Sequence, residues 1–176
     1  MTHTKLNKLT LGKGNNMPVL GGNTIDHGVA YAGQVADLQL CNKISKLNQS
    51  GASIAYGKGL VTDDEESAEL PSSSSTAAQF NGVVVYELNR ARQDSESGAP
   101  DGYDMTLLTE GVIWVNVLDT AAKDAPVYLR VGATDTGDFS GIVGTGATLG
   151  VLVPNAKFLT GGGAGDLVKI SLGLGG

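Results

Sequence analysis

The sequence predicts an all-β fold, a β-barrel or a jelly-roll-like sandwich with an extended N-terminal arm. Short apolar segments, many of them alternating apolar and polar residues, recur about every eight to fifteen residues and are separated by glycine-containing turns. Glycine supplies 26 of the 176 residues, roughly twice its usual share. No window carries the i, i+3, i+4, i+7 apolar stripe of an amphipathic helix. Many short strands joined by tight turns are typical of sandwiches and small barrels.

Residues 1–30 are predicted to form the arm, and residues 31–176 a single all-β domain. The first segment is rich in glycine and poor in apolar residues, so it cannot offset its ordering entropy alone. Three lysines and no acidic residue precede Asp26, whereas the remainder of the chain has nine basic and eighteen acidic residues, a balance of −9. We expect this basic arm to contact a partner through five polar side chains: Lys5, Lys8, Lys13, Asn15 and Asn16.

Apolar alternation or continuous apolar runs predict strands in segments 36–40, 52–61, 82–87, 112–118, 126–131, 147–153, 157–160 and 166–172. Polar excursions at 63–75 and 89–102 predict loops. Segment 112–118 is the most apolar, with Asn116 as its one polar residue. We therefore expect both of its faces to be covered and Trp114 to be buried.

Charge and cysteine content narrow the class of protein. The formal net charge is −6 and the sequence pI about 4.7, and an acidic surface repels a phosphate backbone, so we expect no nucleic-acid partner. The start has no apolar run of signal-peptide length, and no stretch approaches the roughly 20 apolar residues of a membrane span. We expect synthesis in a cytoplasm and no membrane partner. Cys41 is the one cysteine and is predicted to be a small buried apolar side chain.

No catalytic or cofactor-binding constellation is found, so we predict a protein that is not an enzyme and holds no metal or cofactor. His3 and His27 lie in the arm, where nothing fixes them for proton transfer. The acidic run 63–66 lacks EF-hand spacing, and Asp135 and Asp138 resemble a calcium turn only weakly. The glycine pairs miss the spacing of phosphate-binding loops and are interpreted as turns. The five tyrosines are scattered along the chain and predict no aromatic row.

The order of the strand motifs resembles a known family. The motifs are GQVAD at 33–37, IAYGKGLV at 54–61, FNGVVV at 80–85, EGVIWVNV at 110–117, APVYLRV at 125–131, IVG at 142–144, NAKFLT at 155–160 and AGDLVKISL at 164–172. In this order they resemble the structural cement, or capsid decoration, proteins of tailed bacteriophages over residues 33–172. The resemblance implies a β-barrel or jelly-roll-like body, no catalysis, and oligomers that clamp major capsid subunits together.

The expected function is therefore that of a virion protein on the capsid exterior, which stabilises the shell by bridging subunits of the major capsid protein. Its expected partners are that protein and further copies of itself, as a dimer or trimer. The alternative is a receptor- or carbohydrate-binding β module of a head fibre or tail, in which Trp114 would be a sugar-stacking platform. An enzyme on a sandwich or cupin-like fold would need clustered His and carboxylate ligands on strands, and the sequence shows no such cluster.

Overall fold

The structure is a computed structural model that describes residues 30–37, 40–87 and 98–173. These residues form strands and turns, with two single-turn 3-10 helices at Ala77–Gln79 and Gly146–Thr148, and the all-β prediction is confirmed. Among them, no helix has the length and apolarity to cross a bilayer. The strands are β1 Asn42–Asn48, β2 Ile54–Ala55, β3 Gly59–Thr62, β4 Ser67–Glu69, β5 Phe80–Val84, β6 Gly98–Ala99, β7 Asp104–Asn116, β8 Pro126–Arg130, β9 Phe139–Ser140, β10 Gly150–Phe158 and β11 Leu167–Leu172.

Nine of these strands form one sheet in the order β1-β4-β3-β5-β7-β11-β10-β8-β9. Because β1 pairs with β7 as well as with β4, the first five strands of that order close into a ring. A second, single-bridge closure occurs where Val117, just after β7, pairs with Phe139 of β9. The sheet is thus barrel-like, and β7 is the strand that both halves share. Strands β2 and β6 form a separate two-stranded sheet.

Strand β7 serves both halves because a bulge reverses which side chains face the main core. Its first half pairs with β1, and the register shifts by one residue opposite the Asn42–Lys43 step. Before the shift, Leu108 faces the main core, whereas after it Ile113 and Val115 do so. One extra residue changes the face on which every following side chain lies, because the strand period is two.

Two apolar clusters result from this arrangement. The smaller one lies within the ring and includes Leu60, Val84 and Leu107, with Ile54 of β2 and Ala99 of β6 packed against them. The larger one joins the other face of β3, β5 and β7 to β8, β10 and β11. Phe139 and Phe158 are its largest fully buried side chains. Burial of apolar side chains on both faces of the β3–β5–β7 layer holds the two halves together.

Several strand predictions are confirmed in place but wrong in extent. Residues 112–116 of the predicted strand 112–118 are the second half of the longer β7, and the predicted strands 147–153 and 157–160 both overlap the single strand β10. The alternation at 36–40 does not mark a strand: Val35 makes an isolated bridge to Ile113, Leu40 is 89% exposed, and residues 38–39 lie outside the described ranges. Strand β1 was not predicted, and β4 lies inside the segment expected to be a loop.

Two burial predictions are wrong. Trp114 is only partly buried and Asn116 is exposed, because alternate residues of β7 point away from the core. Strand 112–118 therefore does not have both faces covered. Cys41 is exposed, since it precedes β1 instead of packing in the core.

Candidate interaction surface

The acidic run 63–66 organises the turn that leads into β4. One carboxylate oxygen of Asp64 accepts hydrogen bonds from the amides of Glu66 and Ser67, at 2.8 and 2.7 Å. Hydrogen bonding by Ser67 and by the Glu66 amide lowers the pKa of Asp64. The Ser67 hydroxyl donates to Asp63 at 3.1 Å. Among the described residues, no three His, Cys, Asp or Glu side chains converge as metal ligands would.

Asp138, in the turn at 135–138, joins the two halves of the molecule through an ion pair. Lys58, between β2 and β3, lies 2.8 Å from the Asp138 carboxylate and donates to the Thr136 carbonyl at 3.1 Å. Beside this pair, the Gly59 amide donates to the Gly137 carbonyl at 2.7 Å. Burial raises the pKa of Asp138, and the neighbouring Lys58 ammonium offsets part of that rise. Asp138 thus has a cationic partner from the chain itself.

Trp114 is partly buried on the outer face of β7, and a cation lies over its ring. Lys169, its cross-strand partner on β11, places its ammonium group 5.1 Å from the ring centroid. A lysine over the ring occupies one of the two faces on which a sugar could stack. This geometry gives no support to the interpretation of Trp114 as an open carbohydrate platform.

The five predicted interface residues, Lys5, Lys8, Lys13, Asn15 and Asn16, lie outside the described residues, as do His3 and His27. The structure does describe the segment that follows them. The Gly33 amide donates to the Trp114 carbonyl at 2.7 Å, and the Gly33 carbonyl accepts from the Tyr86 amide at 2.8 Å. The Ala36 amide donates to the Val112 carbonyl at 2.8 Å. We call residues 31–36 the arm root, because this segment attaches the predicted arm to β7 and to the end of β5.

Gly33 is the tightest point of the arm root. Its φ is +82°, a conformation that L side chains rarely adopt. A Cβ at this position would lie 2.7 Å from the Val84 carbonyl oxygen and 2.8 Å from the Gly57 amide nitrogen. Both contacts are with backbone, which cannot move aside as a flexible side chain would. The fold therefore requires glycine at position 33.

Three tyrosines form a column beside the arm root, so the prediction of no aromatic row is wrong. Tyr31 stacks on Tyr86 with ring centroids 5.4 Å apart and an interplanar angle of 12°. Tyr86 meets Tyr56 edge to face at 5.1 Å. Tyr56 is 8% exposed and belongs to the smaller core cluster, whereas Tyr31 is 43% exposed. The column runs from the core to the residue at which the predicted arm joins the body.

A small exposed apolar patch lies at the start of β10. Ile142, Val143 and Leu152 are 53%, 47% and 47% exposed. The Val143 carbonyl accepts a hydrogen bond from the Gly150 amide at 2.6 Å, which places the 142–143 segment beside the strand that carries Leu152. The sequence gives no sign of this patch, because Ile142 and Val143 lie in a turn-rich segment without a periodic pattern.

The comparisons with known proteins agree with the resemblance. Residues 22–173 match the model of a family described as structural cement protein (E217 gp24/Pam3 gp6). No curated protein matches the sequence. One of the similar solved structures is a chain from "The capsid of Myoviridae Phage XM1", with a TM-score of 0.60 and 20% sequence identity, over 81% of this chain and 89% of that chain. At that identity the structural likeness concerns the fold.

Proposed function

Because the chain belongs to the phage structural cement protein family, a family of structural proteins and not of enzymes, we propose that it binds the outer surface of a phage capsid and stabilises it by bridging major capsid protein subunits. The family match over residues 22–173 carries the proposal. The major capsid protein is the proposed partner, and the capsid exterior of the virion the proposed location. Assembly of the cement protein into dimers or trimers is part of the same proposal.

The physical properties of the body support this role. Its described residues contain seven Lys and Arg against fifteen Asp and Glu. The excess of acidic over basic residues in the chain after residue 25 is therefore also present in the part that the structure describes. The predicted arm carries Lys5, Lys8 and Lys13. Lysines on such an arm pair with carboxylates of a neighbouring subunit, each exposed pair contributing roughly 0.2–1 kcal/mol and less at high salt.

Bridging does not require strong single contacts. A subunit that touches two capsid subunits gains from effective concentration, because the second contact forms within an already assembled complex. Repetition of such contacts around symmetric positions raises the temperature at which the shell opens, although each contact is weak.

The test is attachment to capsids that lack the cement protein. Purified full-length protein is added to such capsids, bound copies are counted by gel densitometry, and shell opening is followed by DNA release on heating. We expect copy numbers comparable to those of the major capsid protein and a higher release temperature. Changing Lys5, Lys8 and Lys13 together to Gln is expected to weaken binding mainly at low salt. A few copies per particle with no thermal effect would contradict the proposal and favour a fibre or tail component.

A further inference from the structure

The apolar patch of Ile142, Val143 and Leu152 concentrates exposed apolar side chains in one place. Among the described residues, six large apolar or aromatic side chains are exposed, and these three are half of them. Single exposed apolar residues are ordinary on a protein surface. A contiguous group of them is more typical of a surface that another molecule covers.

The patch belongs to a part of the body without charged residues. Segments 70–80 and 139–156 contain no Lys, Arg, His, Asp or Glu, although the described residues together hold seven basic and fifteen acidic ones. The two segments are neighbours in the fold, because residues of both line one small cavity: Ala77 and Phe80 from the first, Val151, Leu152 and Val153 from the second. We call the surface of these two segments the uncharged face.

The loop that carries Ile142 and Val143 is held in place by polar contacts. The Ile142 amide donates to the Ser140 hydroxyl oxygen at 3.1 Å, and that hydroxyl lies 2.8 Å from the Asp119 carboxylate. Asp119 is in turn paired with the buried Arg130 at 2.9 Å, so this carboxylate has a cationic partner. The fold thus fixes the apolar side chains in an exposed position, and a partner that covers them does not have to order the loop.

The first segment of the uncharged face is a polar margin that is also held by its own hydrogen bonds. The Ser72 amide donates to the Ser75 hydroxyl at 2.9 Å, and the Thr76 amide donates to the Gln79 side-chain oxygen at 2.8 Å. Ser72, Thr76 and Gln79 are exposed. An apolar centre without charges and with a polar rim is the composition of a protein–protein interface.

We propose that the uncharged face binds the same face of a second copy of this chain, in a two-fold contact centred on Ile142, Val143 and Leu152. The charge of the body decides the occupant. Two acidic bodies repel each other, and the repulsion is least where neither copy presents a charge. A basic partner would instead gain most from the acidic remainder of the body.

Two-fold symmetry fits this surface. In such a contact each patch meets its equivalent, so apolar surface covers apolar surface and no like charges are brought together. Because the patch is small, we expect the contact to be weak in solution. The proposal rests on the proposed function, since it identifies the surface through which copies on a capsid associate.

The experiment measures the molar mass of the full-length protein by sedimentation equilibrium at concentrations from about 1 μM to about 1 mM. The variants are Leu152→Asp, Ile142→Asp and the matched control Leu40→Asp. Leu40 is 89% exposed and lies just before β1, outside the uncharged face. Urea unfolding at concentrations where the parent is monomeric reports on the stability of each variant. Attachment of parent and variants to capsids is measured separately.

We expect the molar mass of the parent to rise with concentration from that of one chain toward that of two. Leu152→Asp and Ile142→Asp should each weaken this association at least about tenfold, because a carboxylate would be placed in an apolar contact opposite its own copy. Leu40→Asp should associate as the parent does. Since both patch residues are exposed, the urea midpoint of the monomer should stay nearly unchanged.

Four results would overturn the proposal. A parent that stays monomeric throughout shows that the face does not bind its own copy. Association of both Asp variants equal to that of the parent places the self-contact elsewhere, and if these variants also lose capsid attachment, the patch binds the capsid protein. A lowered urea midpoint of both variants shows that part of the same chain covers the patch. A mass that converges on three chains excludes the two-fold arrangement. Failure of the proposed function is distinguishable, because the parent then self-associates through the patch without attaching to capsids.

Discussion

Replacement of Gly33 by Ala tests whether the arm root is clamped as the structure shows. The φ of +82° penalises any L side chain, and the new Cβ would meet three backbone atoms, the Val84 oxygen, the Gly57 nitrogen and the Tyr86 nitrogen, at 2.7, 2.8 and 2.9 Å. Contacts that short force the backbone apart. The hydrogen bonds from Gly33 to Trp114 and from Tyr86 to Gly33 are then lengthened or lost.

The magnitude can be separated into two contributions by a matched control. Gly51 has a φ of +77°, and a Cβ there would meet nothing within 4 Å. Gly51→Ala therefore carries the conformational cost alone, about 1 kcal/mol. Gly33→Ala adds the loss of two backbone hydrogen bonds, at roughly 0.5–1.5 kcal/mol each. We expect Gly33→Ala to lower the free energy of unfolding by about 2–4 kcal/mol and Gly51→Ala by about 1 kcal/mol.

The measurement is equilibrium urea unfolding, monitored both by circular dichroism and by Trp114 fluorescence. If the two signals give the same unfolding curve, the transition is two-state. A lower midpoint with an unchanged dependence on urea indicates a loss of native-state stability. Equal destabilisation by the two substitutions would refute the reasoning, because it would mean that residues 31–36 can shift without lowering the stability of the rest of the domain.

Three further predictions concern side chains of the body. Trp114→Ala should cost less than the roughly 3–5 kcal/mol for a fully buried Trp, because the side chain is only partly buried. Iodide should quench the native fluorescence partly, and complete protection from iodide would contradict the partly buried position. The raised pKa of Asp138 means that the folded state holds this proton more tightly than the unfolded state, so the free energy of unfolding should fall as pH rises from about 3.8 through the raised value and level off above it. Asp138→Asn should remove that part of the slope in urea titrations at successive pH values, and an unchanged slope would assign it to other groups. EDTA should leave the melting temperature unchanged, whereas a fall of several degrees would show that residues 63–66 or Asp138 hold a structural cation.

The fold class and the places of several strands could be predicted from sequence, because period-two patterns and glycine turns are local. Strand β1 could not, since its apolar residues Ile44 and Leu47 are three apart and the rest of the strand is polar. It is a strand because β4 and β7 both offer it backbone partners. That reason lies in residues far along the chain, which no local pattern contains.

The arm root shows the same limit for the candidate site. The sequence predicts an end of the arm at residue 30, but it does not show which of the 26 glycines are structurally required. The requirement for glycine at position 33 comes from backbone atoms of Val84, Gly57 and Tyr86, which a Cβ there would meet at 2.7–2.9 Å. Tyr31, Tyr56 and Tyr86 are likewise separated along the chain and adjacent only in the fold. The continuous apolar run 112–118 predicts that both of its faces are covered, and hence that Trp114 is buried. Such a run does not reveal that the core covers only one of those faces.

Ring closure bears on the proposed role of the chain, in which many copies would stand on one capsid surface. A free strand edge pairs with the edge of a neighbouring molecule, and crowded copies with such edges aggregate. Here β1 pairs on both sides, and the bridge from Val117 to Phe139 connects the far end of the sheet to the residue after β7. The acidic surplus of the body adds repulsion between copies. The main sheet therefore offers few free backbone edges, and the attachment proposed for the lysines of the arm does not depend on one.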